Sequence, residues 1–371
     1  MKVAIVHELL VKLGGAERVV KKLCDMFPQA PIYTLIHNPD KTKEWFRGKK
    51  IITSSIQKYY DFYANHRILL PKMARAIEAF DFNEYDLVIS SSSAFAHGIK
   101  TRPQTKHLCY CHSPMRYAWD YTHQYTGNMN RISRVFAAMA LHKIRLWDYE
   151  TSSRPAIVLA NSKHVQKRIE KYWRRASEVV YPPVNVTRFE VHPGHENYFL
   201  IVSALTAFKH LELAVEAFNQ NGHHLIIIGE GPEYWRLKGM AKENVELLGR
   251  KSDKMIKEYM EHCRAFIFPG EEDFGITPVE AMAAGKPVLA YGKGGCLESV
   301  QASISGEFFN ELTSENLNEG LKKLLRNEKK YDPQAIRKIA EQLDESIFEK
   351  TIQETISSLA CTELCRGVTI S

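Results

Sequence analysis

The stretch from Phe266 to Tyr291, FIFPGEEDFGITPVEAMAAGKPVLAY, constrains the chain more than any other. A short apolar run, Ala265 to Phe268, leads into Pro-Gly and three consecutive acids, and a second apolar run follows from Val288 to Tyr291. The residues between spell a brief helix. Thr277 has the identity of an N-cap, Pro278 suits the first helical position, Glu280 falls three residues after the cap, and Gly285 with Pro287 stops it. Strand, loop, helix and strand in this order make a βαβ unit. In open α/β sheets ligands gather at the carboxyl ends of strands, and a helix start there offers N–H groups and positive dipole to an anion. Gly275 lets the backbone come close to such an anion.

The same alternation runs through the chain. Val3 to Val6 predict a strand, His7 to Gly15 a loop, and a helix begins near Ala16; Gly14-Gly15 lack the G-x-G-x-x-G spacing of a nicotinamide-binding turn. Asp86 to Ser90 read as a strand that runs into a polar loop, Ser91 to Ser93, and His107 to Cys111 as the next strand, from which His112 leaves the sheet. Ile157 to Ala160, Phe199 to Val202, Leu225 to Ile228 and Val245 to Leu248 continue the series. Lys209 lies in a strand-to-helix loop, a phosphate-binding arrangement by position and charge. A polar connector with Pro and Gly, residues 185–196, divides the chain into domains 1–190 and 191–345.

With 371 residues, 44% of them hydrophobic, each domain has material for its own core. No apolar run approaches the ~20 residues of a membrane helix. The first residues read as a strand and not a signal peptide, which predicts a cytoplasmic protein. Seven cysteines without a C-x-x-C pair predict a reducing compartment; Cys109 and Cys111 alternate on one strand, which suits packing, or a metal with His107 or His112. Residues 1–190 hold 30 Lys and Arg against 16 Asp and Glu, and residues 191–371 hold 20 against 27. The basic half predicts an anionic partner, nucleic acid or a membrane surface. Residues 58–82 interleave Tyr59, Tyr60, Phe62 and Tyr63 with Lys58, Arg67, Lys72 and Arg75, a composition that suits either an anionic membrane interface or a packed helical face. Nucleic acid is set aside, because no base-reading or stacking motif is present. A helical stripe of Ile132, Val135, Phe136, Met139, Leu146 and Trp147 lines either the acceptor surface or the core.

Glu272 and Glu280, with seven residues between them that include Phe274-Gly275, resemble the E-x7-E motif of the family 4 retaining glycosyltransferases. A capping box with Thr277 is the plainer account of Glu280. His112-Ser113-Pro114-Met115-Arg116-Tyr117-Ala118-Trp119 is similar to a motif of the family's bacterial mannosyltransferases, as is GKGGCLE from Gly292. The resemblance covers about residues 1–360. It implies a GT-B fold, two Rossmann-like doubly wound parallel-sheet domains facing across a cleft, with a helix over residues 346–360 crossing back to the N-terminal domain and a tail over 361–371. By resemblance His112 and Glu272 are catalytic, near the donor sugar. Gly14, Gly15, Lys209, Arg250, Phe274, Gly275, Ile276, Thr277 and Glu280 bind the donor, with Glu280 on the ribose. Arg116, Tyr117 and Trp119 face the acceptor. The family's diphosphate loop also carries an Arg where this chain has Ala204; Arg116, His210 or another cation would replace it.

The donor so implied is GDP-mannose and the acceptor a polyprenyl-diphosphate-linked glycan of O-antigen or exopolysaccharide synthesis. No metal is expected. The expected location is the inner face of the cytoplasmic membrane, on an anionic surface, with other polysaccharide-assembly enzymes as possible partners. Another nucleotide sugar, or a catalytically silent scaffold subunit, are the alternatives.

Overall fold

Strand β1 (Val3–Leu10) lies between β2 (Ile32–His37) and β4 (Leu87–Ser92) in a parallel sheet whose order is β3-β2-β1-β4-β5-β6-β7. The others are β3 (Ile51–Thr53), β5 (Lys106–Cys111), β6 (Ile157–Ala160) and β7 (Glu178–Val179). The computed structural model describes residues 1–120, 122 and 130–366. Helices such as Gly15–Met26 and Lys163–Trp173 cover the sheet, so Ala4 to Val6, Val88-Ile89 and Leu108 to Cys111 are buried and their strands are continuous apolar runs. The chain builds outward from β1 to β3, then returns to the other side of β1 for β4, so strand order reverses between β1 and β4.

A second sheet has the order β10-β9-β8-β11-β12-β13, again all parallel. Its strands are β8 (Phe199–Val202), β9 (Leu225–Ile228), β10 (Val245–Gly249), β11 (Ala265–Phe268), β12 (Val288–Tyr291) and β13 (Gly306–Phe309). The reversal falls between β8 and β11. Phe199, Phe218, Ile227, Ile267, Leu289, Phe309 and Leu321 fill its core with the helices Leu211–Asn221 and Ser314–Asn327.

The chain divides into one unit of Met1–Tyr181 with the residues from Thr351 onward, and another of Pro182–Lys350. The predicted boundary at 190 is therefore too late. Val184 pairs with Asp344, Val186 and Phe189 are buried, and Arg337 donates to the carbonyls of Phe189 and Val186 at 2.6 and 3.3 Å, so this stretch is tied into the second unit. The last helix runs Glu345–Arg366, past the predicted start of the tail at 361; residues 367–371 lie outside the described residues.

Other expectations also change. β1 continues to Leu10 and β4 to Ser92, so His7, Glu8, Ser91 and Ser92 belong to strands and not loops. In the helix Arg131–Thr151 the buried face is Leu141, Ile144, Trp147 and Asp148, whereas Val135, Phe136, Met139 and Leu146 are exposed. Residues 58–82 are split. Tyr60, Leu69, Met73, Ile77 and Phe82 enter the core, while Tyr59, Phe62, Tyr63 and Ile68 stay exposed, Phe62 by 81%. Cys109 and Cys111 pack with Val158, Val165, Ile169 and Trp173.

Candidate active site

In the first unit the reversal point is built from β1 and β4. His7 and Glu8 are buried where β1 approaches its end. Glu8 Oε1 accepts hydrogen bonds from the successive backbone N–H groups of Ser93, Ala94, Phe95 and Ala96 at 2.8, 2.7, 3.0 and 3.2 Å, and from the Ser92 hydroxyl at 3.1 Å. Burial works to raise the Glu8 carboxyl, but the His7 charge and these N–H groups outweigh it and leave its pKa below the ordinary value. His7 Nδ1 donates to the Ser91 carbonyl at 3.0 Å, and its Nε2 lies 3.7 Å from Glu17 Oε1. Burial lowers the His7 pKa, yet Glu17 and Glu8 overcome it and the net shift is upward. Glu17 stands in the first turn of the helix Gly15–Met26, whose N-cap is Gly14, so the di-glycine turn is held against β1 by the buried His7–Glu17 contact.

Three successive serines of β4 each bond a different buried histidine. Ser90 Oγ is 2.8 Å from His107 Nε2, Ser91 Oγ 2.7 Å from His112 Nε2, and Ser92 Oγ 3.2 Å from His97 Nδ1. The period-two alternation of a strand sends Ser90 and Ser92 to one face and Ser91 to the other. His112 follows β5, and its backbone N–H donates to the Ser92 carbonyl at 2.7 Å, which extends the ladder to the carboxyl ends of β4 and β5. Beyond it the helix Arg116–Trp119 is pinned from below. The Trp119 indole N–H donates to Asp148 Oδ2 at 2.7 Å, its ring stacks on Tyr172 at 4.8 Å, and Arg145 Nε donates to the Ala118 carbonyl at 2.6 Å. Trp173 supplies a second indole N–H to the same Asp148 oxygen at 2.8 Å. Burial pushes the Asp148 carboxyl up to about 7 and pulls His97, 3.4 Å away, down to about 4. Arg116 and Tyr117 are partly exposed, and the Tyr117 hydroxyl reaches Met115 Sδ at 3.2 Å.

In the second unit the loops after β8 and β11 meet at the reversal point. Lys209 closes the turn Ala207–Lys209 and forms an ion pair with Glu272. The Glu272 main chain is bridged to Gly294, and Gly295 N–H donates to the Glu272 carbonyl at 2.9 Å, so the loop after β12 fixes the acid. Gly294 has φ +77°, and a Cβ there would stand 2.4 Å from the Glu272 carbonyl oxygen. The helix Ile276–Ala283 is capped two residues before the predicted position: Gly275, at φ 92°, is the N-cap, and Thr277 is in the first turn. The left-handed conformation that glycine tolerates turns the chain into the helix without a side-chain cap. Pro278 is then the third helical residue, still within the turn whose N–H groups have no intrahelical partner. The capping-box account of Glu280 falls with the cap. Its carboxylate is 2% exposed and lies 3.7 Å from Arg188 Nη1. Phe274 is buried; Arg250 is exposed, 3.5 Å from Glu230. His210, at φ 52°, faces Glu212 at 3.3 Å.

The first unit thus brings Gly14, Gly15 and His112 to the ends of its central strands, and the second brings Lys209, Glu272, Phe274, Gly275, Ile276 and Thr277 together. Arg250 stands apart at the end of β10. His7, Glu8, Glu17, Ser91 and Asp148 escaped the sequence reading. The available signal was a histidine and an acid directly following VAIV, and four serines in succession after DLVI.

The fold is that of the Anabaena Alr3699/HepE structure in complex with UDP, with a TM-score of 0.73 at 19% identity over 96% of this chain and 100% of that one. Two doubly wound parallel sheets are the GT-B architecture, and the family models that match along the chain make this a glycosyltransferase. Family models agree along the chain, Glycosyltransferase Family 4 over residues 13–188 and Glycosyl transferases group 1 over residues 186–342. The chain belongs to family 4 of the glycosyltransferases. Its relatives include the Alpha-1,3/1,6-mannosyltransferase ALG2 of Dictyostelium discoideum, 26% identical over 84% of this chain and 86% of that protein. The O-antigen chain mannosyltransferase RfbU of Salmonella typhimurium is 30% identical over 36% of this chain and 41% of that protein.

Proposed function

We propose that the protein is a retaining α-mannosyltransferase that moves mannose from GDP-mannose to a polyprenyl-diphosphate-linked glycan. The observation that carries this reading is the Lys209–Glu272 pair at the β8/β11 reversal, beside the start of the helix Ile276–Ala283. A cation and free N–H groups suit a departing diphosphate, and a carboxylate suits sugar hydroxyls. The mannosyltransferase relatives favour mannose among the sugars.

In this reading Lys209 and the N–H groups of Ile276 and Thr277 neutralise the leaving diphosphate, Glu272 orients the mannose, and His112 stands near the anomeric carbon. Gly14 and Gly15 allow close approach of the diphosphate, Glu280 holds the ribose and Arg250 flanks the base. Arg116, Tyr117 and Trp119 face the acceptor. The nucleotide leaves from the face that the acceptor attacks, which retains the α configuration. Groups fixed before the charge develops lower the barrier most. The Lys209 charge does here what a divalent cation does elsewhere, so turnover is independent of added chelator.

The surface of the first unit supports attachment to an anionic membrane. Phe62, Tyr63 and Ile68 are exposed, Lys72 and Lys58 lie 4.3 and 5.2 Å from the Tyr59 ring, and Phe136 and Met139 are exposed on a helix that also carries Arg131 and Arg134. No helix among the described residues is long and apolar enough to cross a membrane. Binding to vesicles with anionic lipid that falls as salt rises is the expected result.

The direct test is extension of a polyprenyl-diphosphate glycan by GDP-mannose, followed by anomeric NMR of the product. GDP is expected to raise the thermal midpoint more than UDP or ADP. Transfer from another nucleotide sugar in preference to GDP-mannose would overturn the donor, and tight nucleotide binding with no transfer would favour a silent scaffold.

A further inference from the structure

We propose that Ser91 is a positioning residue for His112, anchored through His7 to Glu17. The inference rests on the reading above, in which His112 works beside the sugar. Ser91 is 0% exposed and paired on both sides, with His7 in β1 and Tyr110 in β5. Its two oxygen atoms serve two histidines: the carbonyl accepts from His7 Nδ1 at 3.0 Å, and the hydroxyl meets His112 Nε2 at 2.7 Å.

His7 in turn is clamped. Its Nε2 faces Glu17 Oε1 at 3.7 Å, and Glu8 Oε2 lies 3.8 Å from its Nδ1. Glu8 also grips the four N–H groups that follow Ser92. The main chain of Ser91 therefore has little freedom, and its hydroxyl is a fixed point from which the His112 ring is hung. Among the three serine–histidine pairs of β4, this one alone involves a residue assigned to the reaction. The others hold His107 and His97, whose imidazoles burial drives toward about 3 and about 4 and so keeps neutral.

A hydroxyl at 2.7 Å from Nε2 holds the rotation of the imidazole, since it can donate to that nitrogen or accept from it. Glu17 belongs to the turn that begins at Gly14, so a single chain of contacts, Glu17 to His7 to Ser91 to His112, joins two parts assigned to donor handling. A ring held less closely loses part of the preorganisation on which electrostatic catalysis depends.

Removing the hydroxyl with Ser91→Ala leaves the backbone ladder intact. The expected result is a fall in kcat of about tenfold, the size of one hydrogen bond lost in a transition state, with the donor KM within about twofold. In ¹⁵N spectra of histidine-labelled protein the His112 Nε2 signal is expected to shift as its hydrogen bond to the hydroxyl is lost. Ser91→Thr, which keeps the hydroxyl, is expected to restore kcat and the wild-type Nε2 signal. Unchanged His112 signals in Ser91→Ala at an unchanged thermal midpoint overturn the proposal, as does a loss of activity that appears wholly in KM. The spectra need no substrate. A wild-type protein that transfers no sugar would remove the functional reading, while the His112 signals would still decide the role of Ser91.

Discussion

Lys209 and Glu272, carried by the loops that follow β8 and β11, form an ion pair astride the point where the strand order of the second unit reverses. Neither is deeply buried, with side chains 14% and 27% exposed, so truncating Lys209 should leave the fold intact. In the proposed mechanism Lys209→Ala takes a fixed cation from the leaving diphosphate, and comparable deletions cost on the order of 2.7–4 kcal/mol, or about 10²–10³ in kcat. Steady-state kinetics with a matched thermal melt provide the check. Near-normal turnover would remove Lys209 from the mechanism.

Gly294 supports the same acid from behind. An alanine there would be strained at φ +77° and would meet the Glu272 carbonyl oxygen at 2.4 Å, so the loop after β12 must shift. Gly294→Ala is expected to cost roughly 1–3 kcal/mol of stability and to raise the donor KM. A variant with the melting point and KM of the wild type would show that this approach does not hold Glu272.

Trp119 tests whether HSPMRYAW meets the acceptor or packs. Trp119→Phe keeps a ring to stack on Tyr172 but removes one of two indole donors from buried Asp148, a loss of about 1–3 kcal/mol. A packing role predicts a lower thermal midpoint with acceptor KM unchanged. An acceptor role predicts the reverse, and both readouts come from one protein.

Asp148 makes stability depend on pH in a definite sense. Its folded pKa is raised to about 7, so above the ordinary aspartate value the folded chain still binds a proton that the unfolded chain has released. The carboxyl's contribution to stability thus falls as pH rises from about 4 to about 7. His97, drawn down to about 4, contributes with the opposite slope and partly masks it in the wild type. Asp148→Asn should therefore gain thermal stability relative to wild type as pH increases over this range. A difference between the two melting curves that does not vary with pH would mean that Asp148 is ionised throughout.

Much of the fold was legible because a parallel strand buried on both faces is a continuous apolar run. Phe199–Val202, Leu225–Ile228, Ala265–Phe268 and Val288–Tyr291 have the bounds their composition predicts. The reading stopped short at β1 and β4 because His7, Glu8, Ser91 and Ser92 are polar. They are tolerated in strands only because they satisfy one another, and the partners of Glu8 lie more than 80 residues away in sequence. The site divides in the same way. Lys209 could be nominated from local sequence, as a cation in a loop at a strand end, and Glu272 through its resemblance to the E-x7-E motif. Ser91, Glu17 and Asp148 could not, since each acquires its meaning from a contact made after folding. Thr277 misled because its side chain suits a cap, whereas the backbone of Gly275 already makes the turn.

The carboxylate of Glu8 has a wider consequence. A run of four amides converging on one oxygen is the kind of cradle in which a phosphate settles, and here the chain supplies the occupant itself. That cradle is closed to incoming anions as soon as β1 and β4 pair. A visiting nucleotide must find its phosphate contacts on other amides and cations.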